Sequence, residues 1–303
     1  MNQQLTPPYG IEVPGAGAPA AATIAEIPHL QVDSWGLTDR GQVRPNNEDQ
    51  FLIARLTKAM QVLRTSLPQE RVHYGKDQGY LFVVADGMGG HAAGEKASAL
   101  VIDSIEHFVL NTCKWFFQLQ GREGDKVLAE FQTALQQADA RILAEAARHH
   151  ELTGMGSTLT MAYSLDSDLF VAHVGDSRCY LFRDGVLHRL TQDHTMVQEL
   201  VRHGYIEPEE AAHHRLRHVI TNAIGGNTPG IQVEVHKVKL EAGDRLLLCT
   251  DGLTEMVPDE AMAESLRARG SLRETCARMI AQANEQGGKD NITVVLAEFT
   301  AAA

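Results

Sequence analysis

Two acidic residues each follow a run of apolar residues and each precede a glycine. Asp86 ends the run LFVVA and continues as DGMGG, and Asp251 ends RLLLCT and continues as DGLTE. An aspartate at the end of a rigid strand is held in place, and the glycine after it lets an oxygen approach closely. Either pair alone is more often an ordinary Asp-Gly turn, but both together raise the question of a metal site.

Two further acids stand directly before apolar runs, Asp49 before QFLIARL and Asp290 before NITVV. If the four strands pack side by side, several carboxylates share a small volume and cannot all stay ionised without a cation. The set offers oxygen ligands without cysteine or a clear histidine pair, which favours Mg²⁺ or Mn²⁺ over zinc. Two such ions would activate a shared water and hold a phosphoryl group for in-line attack.

Residues near these acids have both a catalytic and an ordinary interpretation. Glu48 and Asp49 are adjacent and would face opposite ways in a strand, so one of them would act through water. Asp176, in HVGDSRCY, is either a ligand or a turn residue paired with Arg178. Arg44 is either a surface arginine or a guanidinium that grips two phosphate oxygens, and its place beside the acids favours the phosphate.

The histidines allow two further hypotheses. His91 follows the glycines and is either a proton donor to a leaving alkoxide or a residue at a helix N-terminus. His214 and His218 are spaced i, i+4 and could bind zinc on a helix, but no third ligand is apparent. We therefore expect this histidine-rich stretch to be a mobile segment that faces the substrate.

The elements that must position these residues can be read from the apolar spacing. Two amphipathic helices are predicted between Glu95 and Ile142, and another near Ser271 to Asn284. Extended runs lie between and after them, with a hairpin signal at Asp184-Gly185. Neighbouring strands joined by short turns predict an α+β fold in which antiparallel sheets carry helices on their outer faces.

The chain has 303 residues, 44% of them apolar, enough for one large domain. We expect that domain at 32–300, after a flexible Ala/Pro/Gly-rich tail at 1–31, with an inserted surface loop at 57–79 and the histidine-rich segment at 192–230. A formal charge of −12 opposes binding to nucleic acid or anionic lipid. Without a CxxC pair, a signal peptide or a membrane span, the sequence predicts a cytoplasmic protein with reduced cysteines.

Six motifs, in order, resemble those of the metal-dependent PP2C-type (PPM) serine/threonine protein phosphatases, most closely the bacterial branch. They are RPNNED, VVADGMGGHAAGE, GMGSTLTMAY, VAHVGDSRCYLF, LLLCTDGLTE and GGKDNITVVLAEF. The match extends from about Asp33 to Phe299. The resemblance implies a four-layer α-β-β-α sandwich of two antiparallel sheets flanked by helices, with a binuclear Mn²⁺ or Mg²⁺ centre in a cleft at one edge.

By the same resemblance, Asp86 would bridge the two metals and the Gly87 carbonyl would bind one of them. Asp251 and Asp290 would hold the other.

Glu48 and Asp49 would be ligands or would accept hydrogen bonds from metal-bound water. Asp176 matches a third, looser metal site of bacterial members, and Arg44 matches their phosphate-binding arginine. The 192–230 segment corresponds to a variable flap beside the cleft.

The family resemblance implies hydrolysis of phosphoserine and phosphothreonine in proteins by a water or hydroxide that bridges two metal ions. We expect a monomer that opposes a bacterial Ser/Thr kinase. Animal members carry a histidine, the proposed general acid, where this chain has Met88, and histidine comes only at His91. Two alternatives remain: a non-catalytic module that binds phosphoproteins, and a partner-switching phosphatase that acts on a sigma-factor regulator.

Overall fold

The computed structural model describes six stretches of the chain: 30–57, 78–89, 92–116, 124–211, 213–226 and 230–301. The tail predicted at 1–31 lies outside them except for Leu30 and Gln31, which belong to the first strand. Of the loop predicted at 57–79, only its end residues are described, and they too belong to strands.

The strands, in chain order, are β1 (Leu30–Asp39), β2 (Asp49–Thr57), β3 (Gln78–Met88), β4 (Gly156–Ser157), β5 (Leu159–Leu165), β6 (Asp168–Val174), β7 (Arg178–Arg183), β8 (Val186–Arg189), β9 (Ile224–Gly225), β10 (Glu234–Lys239), β11 (Arg245–Cys249) and β12 (Ile292–Ala301). The helices are α1 (Ala92–Phe116), α2 (Gly124–Arg148), α3 (Met196–Arg202), α4 (Pro208–Ala211), α5 (Asp251–Thr254), α6 (Asp259–Arg267) and α7 (Leu272–Glu285).

The strands form two sheets. One has the order β1-β12-β11-β7-β8, and the other has the order β10-β6-β5-β3-β4-β9 with β2 paired to β3. The pairings of the described strands are antiparallel, as the short connections predict. The β7–β8 hairpin turns at Asp184 and Gly185, whose φ angles of 51° and 78° are those of the two-residue turn that Asp-Gly favours.

Three apolar clusters fill the spaces between four layers. One joins α1 and α2 to the seven-stranded sheet through residues such as Phe131 and Met161. The second lies between the two sheets and contains Phe82 and Phe299. The third joins the five-stranded sheet to α6 and α7 and includes Met262. Strand β5 is buried throughout, because its sheet is covered on both faces. The predicted α-β-β-α sandwich is confirmed.

The last helix, α7, shows how local sequence defines its start. The hydroxyl of Ser271 accepts a hydrogen bond from the Glu274 N–H, and the Glu274 carboxylate accepts one from the Ser271 N–H. This capping box satisfies two backbone donors at the helix start. The helix lies within one residue of its predicted bounds at each end.

Several local predictions were wrong. Strand β3 continues two residues beyond Asp86, because Gly87 and Met88 pair with β4. The strand expected from Ile231 begins only at Glu234. Helices α3, α4, α5 and α6 were not predicted, since each is too short to show a repeating apolar face.

The cysteines whose side chains are described, Cys179, Cys249 and Cys276, are buried and free. None of the helices in the described part of the chain combines the length and the apolar character that a membrane span requires.

Candidate metal centre

Two of the acids, Asp49 and Asp86, lie on neighbouring strands of the seven-stranded sheet. Asp49 opens β2 and stands directly opposite Asp86 in β3. The Asp86 N–H donates to the Thr158 hydroxyl at 3.0 Å, and the Asp86 carbonyl accepts from the Thr158 N–H at 2.8 Å. The sheet ladder and Thr158 together hold the Asp86 backbone on both sides.

The second pair lies at the neighbouring strands β11 and β12 of the other sheet. Asp251 follows Thr250 and is the first residue of α5. Asp290 lies two residues before the start of β12. The Thr250 N–H donates to the Thr293 carbonyl at 3.2 Å, which ties the end of β11 to the start of β12. The two facing sheets therefore each contribute one pair of acids.

A cleft of about 660 Å³ opens where these strand ends meet. Seven of the nine site residues predicted from the sequence border it: Arg44, Glu48, Asp86, Gly87, Asp176, Asp251 and Asp290. Carboxylate oxygens of Asp86, Asp176 and Asp251 lie within 4.8 Å of one another. Asp49 is buried behind the cleft, with 2% of its surface exposed. His91 lies outside the described residues.

Several of these carboxylates have an oxygen that lacks a hydrogen-bond donor. Oδ1 of Asp49, of Asp176 and of Asp251 is buried and accepts no hydrogen bond from any residue the structure describes. A buried carboxylate oxygen without a donor is costly. A hard divalent cation would satisfy such oxygens, so the donor set fits Mg²⁺ or Mn²⁺.

The acids also perturb one another. Burial, then the neighbouring Asp49 and Asp251 charges, raises the pKa of Asp86 well above its usual value. Burial, then the Asp176 charge, does the same for Asp251. Burial is the main cause that raises the pKa of Asp176 to about 7. Without a cation, the cluster therefore retains protons near neutral pH.

Asp49 is held by two threonines. Its Oδ2 accepts hydrogen bonds from Thr250 at 2.8 Å and from Thr293 at 2.7 Å. Burial raises the pKa of Asp49 to about 7, while these two hydrogen bonds act in the opposite direction. The threonines fix the orientation of the carboxylate, so that its other oxygen is the one left for a ligand.

Glu48 borders the cleft, whereas Asp49 does not, so the two adjacent acids face different surroundings. The Glu48 N–H donates to Asn291 Oδ1 at 2.8 Å, although the two residues are 243 positions apart. Asn291 Nδ2 donates to the carbonyls of Arg40 and Asn46 at 2.9 and 2.8 Å. Asn291 therefore fastens the loop that carries Glu48 to the start of β12.

Two glycines meet beneath the cleft. A Cβ on Gly87 would lie 2.1 Å from the Gly94 carbonyl oxygen. A Cβ on Gly94 would lie 2.2 Å from Glu48 Oε2 and 2.9 Å from the Gly87 carbonyl oxygen. Only glycine at both positions leaves room for the Glu48 carboxylate and the Gly87 carbonyl to share this space.

Arg44 reaches across the cleft to Asp290, with Nη2 and Oδ2 2.6 Å apart. The hydrogen bond and the charge of Asp290 raise the pKa of the guanidinium, so Arg44 stays a cation. More than half of its side chain is exposed, which leaves the remaining donors accessible.

The ordinary interpretation of Asp176, a turn residue paired with Arg178, was wrong about the partner. Arg178 donates instead to both carboxylate oxygens of Asp193, at 3.0 and 2.7 Å. The Asp176 carboxylate is left facing the cleft.

The chain is similar in sequence to several known proteins. The family model for protein phosphatase 2C matches residues 65–297. The serine/threonine phosphatase stp of Listeria innocua is 35% identical over 261 residues, covering 86% of this chain and 93% of that protein. The serine/threonine protein phosphatase PstP of Mycobacterium tuberculosis is 38% identical over 261 residues, covering 86% of this chain and 44% of that protein.

The chain belongs to the protein phosphatase 2C family. It is an enzyme of the serine/threonine protein phosphatase type, as the motifs implied. Among solved structures, M. tuberculosis PstP/Ppp superposes with a TM-score of 0.71 at 36% identity, covering 89% of this chain and 99% of that one. The PstP catalytic domain in complex with two manganese ions gives a TM-score of 0.69 at the same identity and coverage.

In this protein phosphatase 2C domain, Met88 borders the cleft at the position where animal members carry histidine. A thioether has no proton to donate. Another histidine, His218, does border the cleft, and its Nδ1 contacts the Glu255 carboxylate. The helical zinc pair of His214 and His218, considered from their spacing but not favoured, does not form, because neither residue lies in a helix.

Several residues that position the acids were not identified from the sequence. They are the uncharged residues Asn291, Thr250, Thr293 and Gly94, of which Asn291 borders the cleft. Two of them adjoin candidate ligands in the sequence, since Asn291 follows Asp290 and Thr250 precedes Asp251. A residue type beside a candidate ligand does not reveal which distant atom it contacts.

Proposed function

We propose that this protein hydrolyses phosphoserine and phosphothreonine in proteins by direct attack of water, with divalent cations held by the acids of the cleft. The observation that carries the proposal is the convergence of four strand-end carboxylates, two from each sheet. Two of them, Asp49 and Asp251, have a buried oxygen that lacks a hydrogen-bond donor among the described residues, as does Asp176 beside them. The two manganese ions in the similar PstP catalytic domain support the choice of Mn²⁺ or Mg²⁺.

Each acid then has a defined task. Asp86 and the Gly87 carbonyl would hold cations on the floor of the cleft, together with Asp251 and Asp290. When bound, the two cations act as Lewis acids that make a shared water nucleophilic and neutralise phosphoryl charge.

The remaining acids lie around this floor. Glu48 and Asp49 would bind a cation or orient the attacking water. Asp176 would share a third, weaker cation with Asp251, since their oxygens approach each other in the cleft.

Arg44 would bind the phosphate of the substrate. In the structure it donates to Asp290, and a cation bound by Asp290 would compete for the same oxygens. Loading the site would therefore release the guanidinium to a phosphate, which it can grip with two parallel hydrogen bonds.

The phosphatase acts on phosphoproteins, and we propose that these are substrates of a bacterial Ser/Thr kinase. We further propose that it works as a cytoplasmic monomer. The buried free cysteines support a reducing compartment. Sedimentation of the purified protein and fractionation of its host test the oligomeric state and the location.

Phosphate release from a phosphothreonine peptide, measured with and without Mn²⁺, tests the reaction. We expect activity with Mn²⁺, none after EDTA, and a loss of at least about 1000-fold in Asp86→Ala and in Asp251→Asn. Asp125→Asn, an exposed acid at the start of α2, is the matched control and should keep full activity.

Full activity of either cleft variant would contradict the proposal. Tight Mn²⁺ binding without turnover on several phosphopeptides would instead favour a non-catalytic phosphoprotein-binding module.

A further inference from the structure

One histidine joins two parts of the molecule that border the cleft. The backbone N–H of His194 donates to the Gly175 carbonyl at 2.7 Å, and the Gly175 N–H donates back to His194 Nδ1 at 3.1 Å. These two hydrogen bonds fasten His194 to the residue directly before Asp176. Neither contact belongs to a strand ladder or a helix.

The same histidine holds the far end of the 192–226 segment. Its carbonyl accepts the Thr221 N–H at 2.8 Å, and its Nδ1 receives the Asn222 side-chain amide at 3.0 Å. The amide orientation of Asn222 is defined by Gln232, because the Gln232 carbonyl accepts from Asn222 Nδ2 and the Gln232 N–H donates to Asn222 Oδ1.

These contacts determine where the ring proton lies. The Gly175 N–H and the Asn222 amide are both donors, and both point at Nδ1, so Nδ1 carries no proton. The proton of the neutral ring is then on Nε2, which faces Glu234 Oε2 at 3.7 Å. Burial lowers the pKa of His194, which agrees with a neutral ring.

The same tautomer argues against a metal ion at this place. His173, His194 and Glu234 have ligand atoms within 4.8 Å of one another. A cation on His194 Nε2 would have to displace its proton while Nδ1 still accepts two hydrogen bonds. His173 Nε2 already faces the Gln192 carbonyl at 3.0 Å. The cluster is therefore a hydrogen-bonded support.

Gly175 connects the hydrogen bonds of His194 to the residues that hold the carboxylates. This residue has a φ of +115°, and a Cβ there would lie 2.5 Å from the Thr158 Cβ. Thr158 in turn accepts the Asp86 N–H. Gly175 is thus packed between His194 and Thr158, so the backbone that carries Asp176 is fixed relative to Asp86.

The segment that His194 holds forms one wall of the cleft. Thr195 and Ile220 form an isolated antiparallel bridge, and Arg217, His218 and Ile220 border the cleft. The His194 contacts thus lie at the base of this wall.

We propose that His194, with its proton on Nε2, is a positioning residue that clamps the Gly175–Asp176 turn to the cleft wall, so that the Asp176 carboxylate and the substrate-facing wall move as one unit. The inference rests on the proposed function, because it assigns Asp176 to the third cation. It predicts that loss of the clamp weakens both the weakest Mn²⁺ site and the binding of phosphoprotein, and leaves the two tighter cations in place.

The tautomer is tested on the metal-free protein by long-range ¹⁵N–¹H NMR of the histidine rings. We expect His194 to show a protonated Nε2 and an unprotonated Nδ1, and the Gly175 amide to exchange slowly with solvent. A proton on Nδ1, or fast exchange of the Gly175 amide, would overturn the clamp whether or not the protein is a phosphatase.

Three substitutions test its role. His194→Ala removes the acceptor, His194→Asn places an amide oxygen near the position of Nδ1, and His194→Gln places one near Nε2. Mn²⁺ binding, followed by electron paramagnetic resonance of the free ion, should show the weakest site loosened about tenfold in the Ala and Gln variants. The Asn variant should recover most of the affinity.

The kinetic readout separates positioning from general damage. In His194→Ala we expect KM for a phosphothreonine peptide to rise about tenfold, with a smaller change in KM for p-nitrophenyl phosphate, which does not reach the wall. His203→Ala, an exposed histidine of the same segment, is the control and should match the wild type.

Equal losses on both substrates, or no rescue by Asn, would contradict the clamp. An inactive wild type would contradict the proposed function, while the Mn²⁺ binding and the NMR measurements would still decide the clamp.

Discussion

The floor of the cleft and its wall are built in different ways. The floor consists of carboxylates at the ends of β3, β11 and β12, with Asp49 of β2 buried behind them, and sheet ladders and buried threonines hold these acids. The wall, the 192–226 segment, contains two short helices and carries the exposed Tyr205, 75% accessible. It is joined to the rest of the fold near its start by Asp193 and His194, near its end by the pairing of β9 with β4, and at the cleft by the contact of His218 with Glu255.

This difference separates chemistry from recognition. An acid on a strand end cannot move without disturbing a sheet, so the floor can keep a fixed arrangement of ligands. A segment of turns and short helices on the surface can change its exposed residues at little cost to the fold. We therefore expect substitutions on the floor to abolish catalysis and substitutions on the wall to change which substrates bind.

Beyond replacement of the acids themselves, the largest effect is expected from one methyl group added beside the floor. In Gly94→Ala, the new Cβ would meet both the Glu48 carboxylate and the Gly87 carbonyl. Alanine has the higher helix propensity, by about 1 kcal/mol, so the helix itself gives no reason for a loss. We expect activity with Mn²⁺ to fall about 100-fold while the melting temperature changes little.

Gly204→Ala is the control for this change, because no atom lies within 4 Å of the added Cβ. Its positive φ makes alanine unfavourable, so it should lose stability and keep its activity. The reverse pattern, with Gly94→Ala active and unstable, would show that the floor tolerates movement.

A smaller effect is expected when a support of the floor is removed. Asn291→Ala leaves the Glu48 N–H and the carbonyls of Arg40 and Asn46 without their partner. We expect Mn²⁺ affinity to fall about tenfold and the free energy of unfolding to fall by about 1–3 kcal/mol. Calorimetric titration with Mn²⁺ and urea unfolding measure the two quantities, and unchanged affinity would show that Glu48 needs no such support.

Asn291 and Gly94 also show which contacts cannot be predicted from the sequence. The strand-end acids were found because an acid next to an apolar run is a local pattern. Antiparallel sheets with helices on their outer faces were predicted from apolar spacing and turn signals, and the four-layer sandwich from the family resemblance. The contact of Asn291 with Glu48 joins residues 243 positions apart, and the approach of Gly94 to Gly87 depends on how α1 packs on β3. The wall was harder still, because its turns show no repeating apolar face, and the i, i+4 spacing of His214 and His218 does not correspond to a helix.

The stability of the metal-free protein depends on pH through its buried acids. Burial raises the pKa of Asp49 and of Asp176 to about 7. An acid with a raised native pKa binds its proton more tightly when folded, so its contribution is present below pH 4 and is lost as the pH rises through 7. The pKa of the buried His173 is lowered to about 3, which costs stability only below about pH 6.5.

Between about pH 5 and 7, the metal-free protein should therefore become less stable as the pH rises, because the two acids together outweigh the opposing effect of His173. Each acid that is protonated in the folded chain and ionised in the unfolded chain lowers stability by at most about 1.4 kcal/mol per pH unit, or roughly 2–4 °C in melting temperature. Excess Mn²⁺ should reverse this slope, because it binds the deprotonated acids. Scanning fluorimetry in EDTA and in Mn²⁺ measures both slopes, and Asp49→Asn should flatten the slope in EDTA. A flat curve for the wild type would mean that these acids are already ionised.

The smallest effect is expected at the wall. Arg217 borders the cleft from the 192–226 segment and is exposed, so it can contact residues that flank a phosphorylated side chain. In Arg217→Ala we expect KM to rise about threefold for a phosphopeptide with acidic flanking residues, since an exposed ion pair contributes at most about 1 kcal/mol. KM should not change for p-nitrophenyl phosphate, nor should Mn²⁺ affinity. High salt should erase the difference between wild type and variant, because exposed charges are screened. A fall in kcat on both substrates would place Arg217 with the chemistry of the floor, and the division between a catalytic floor and a recognising wall would then be wrong at this residue.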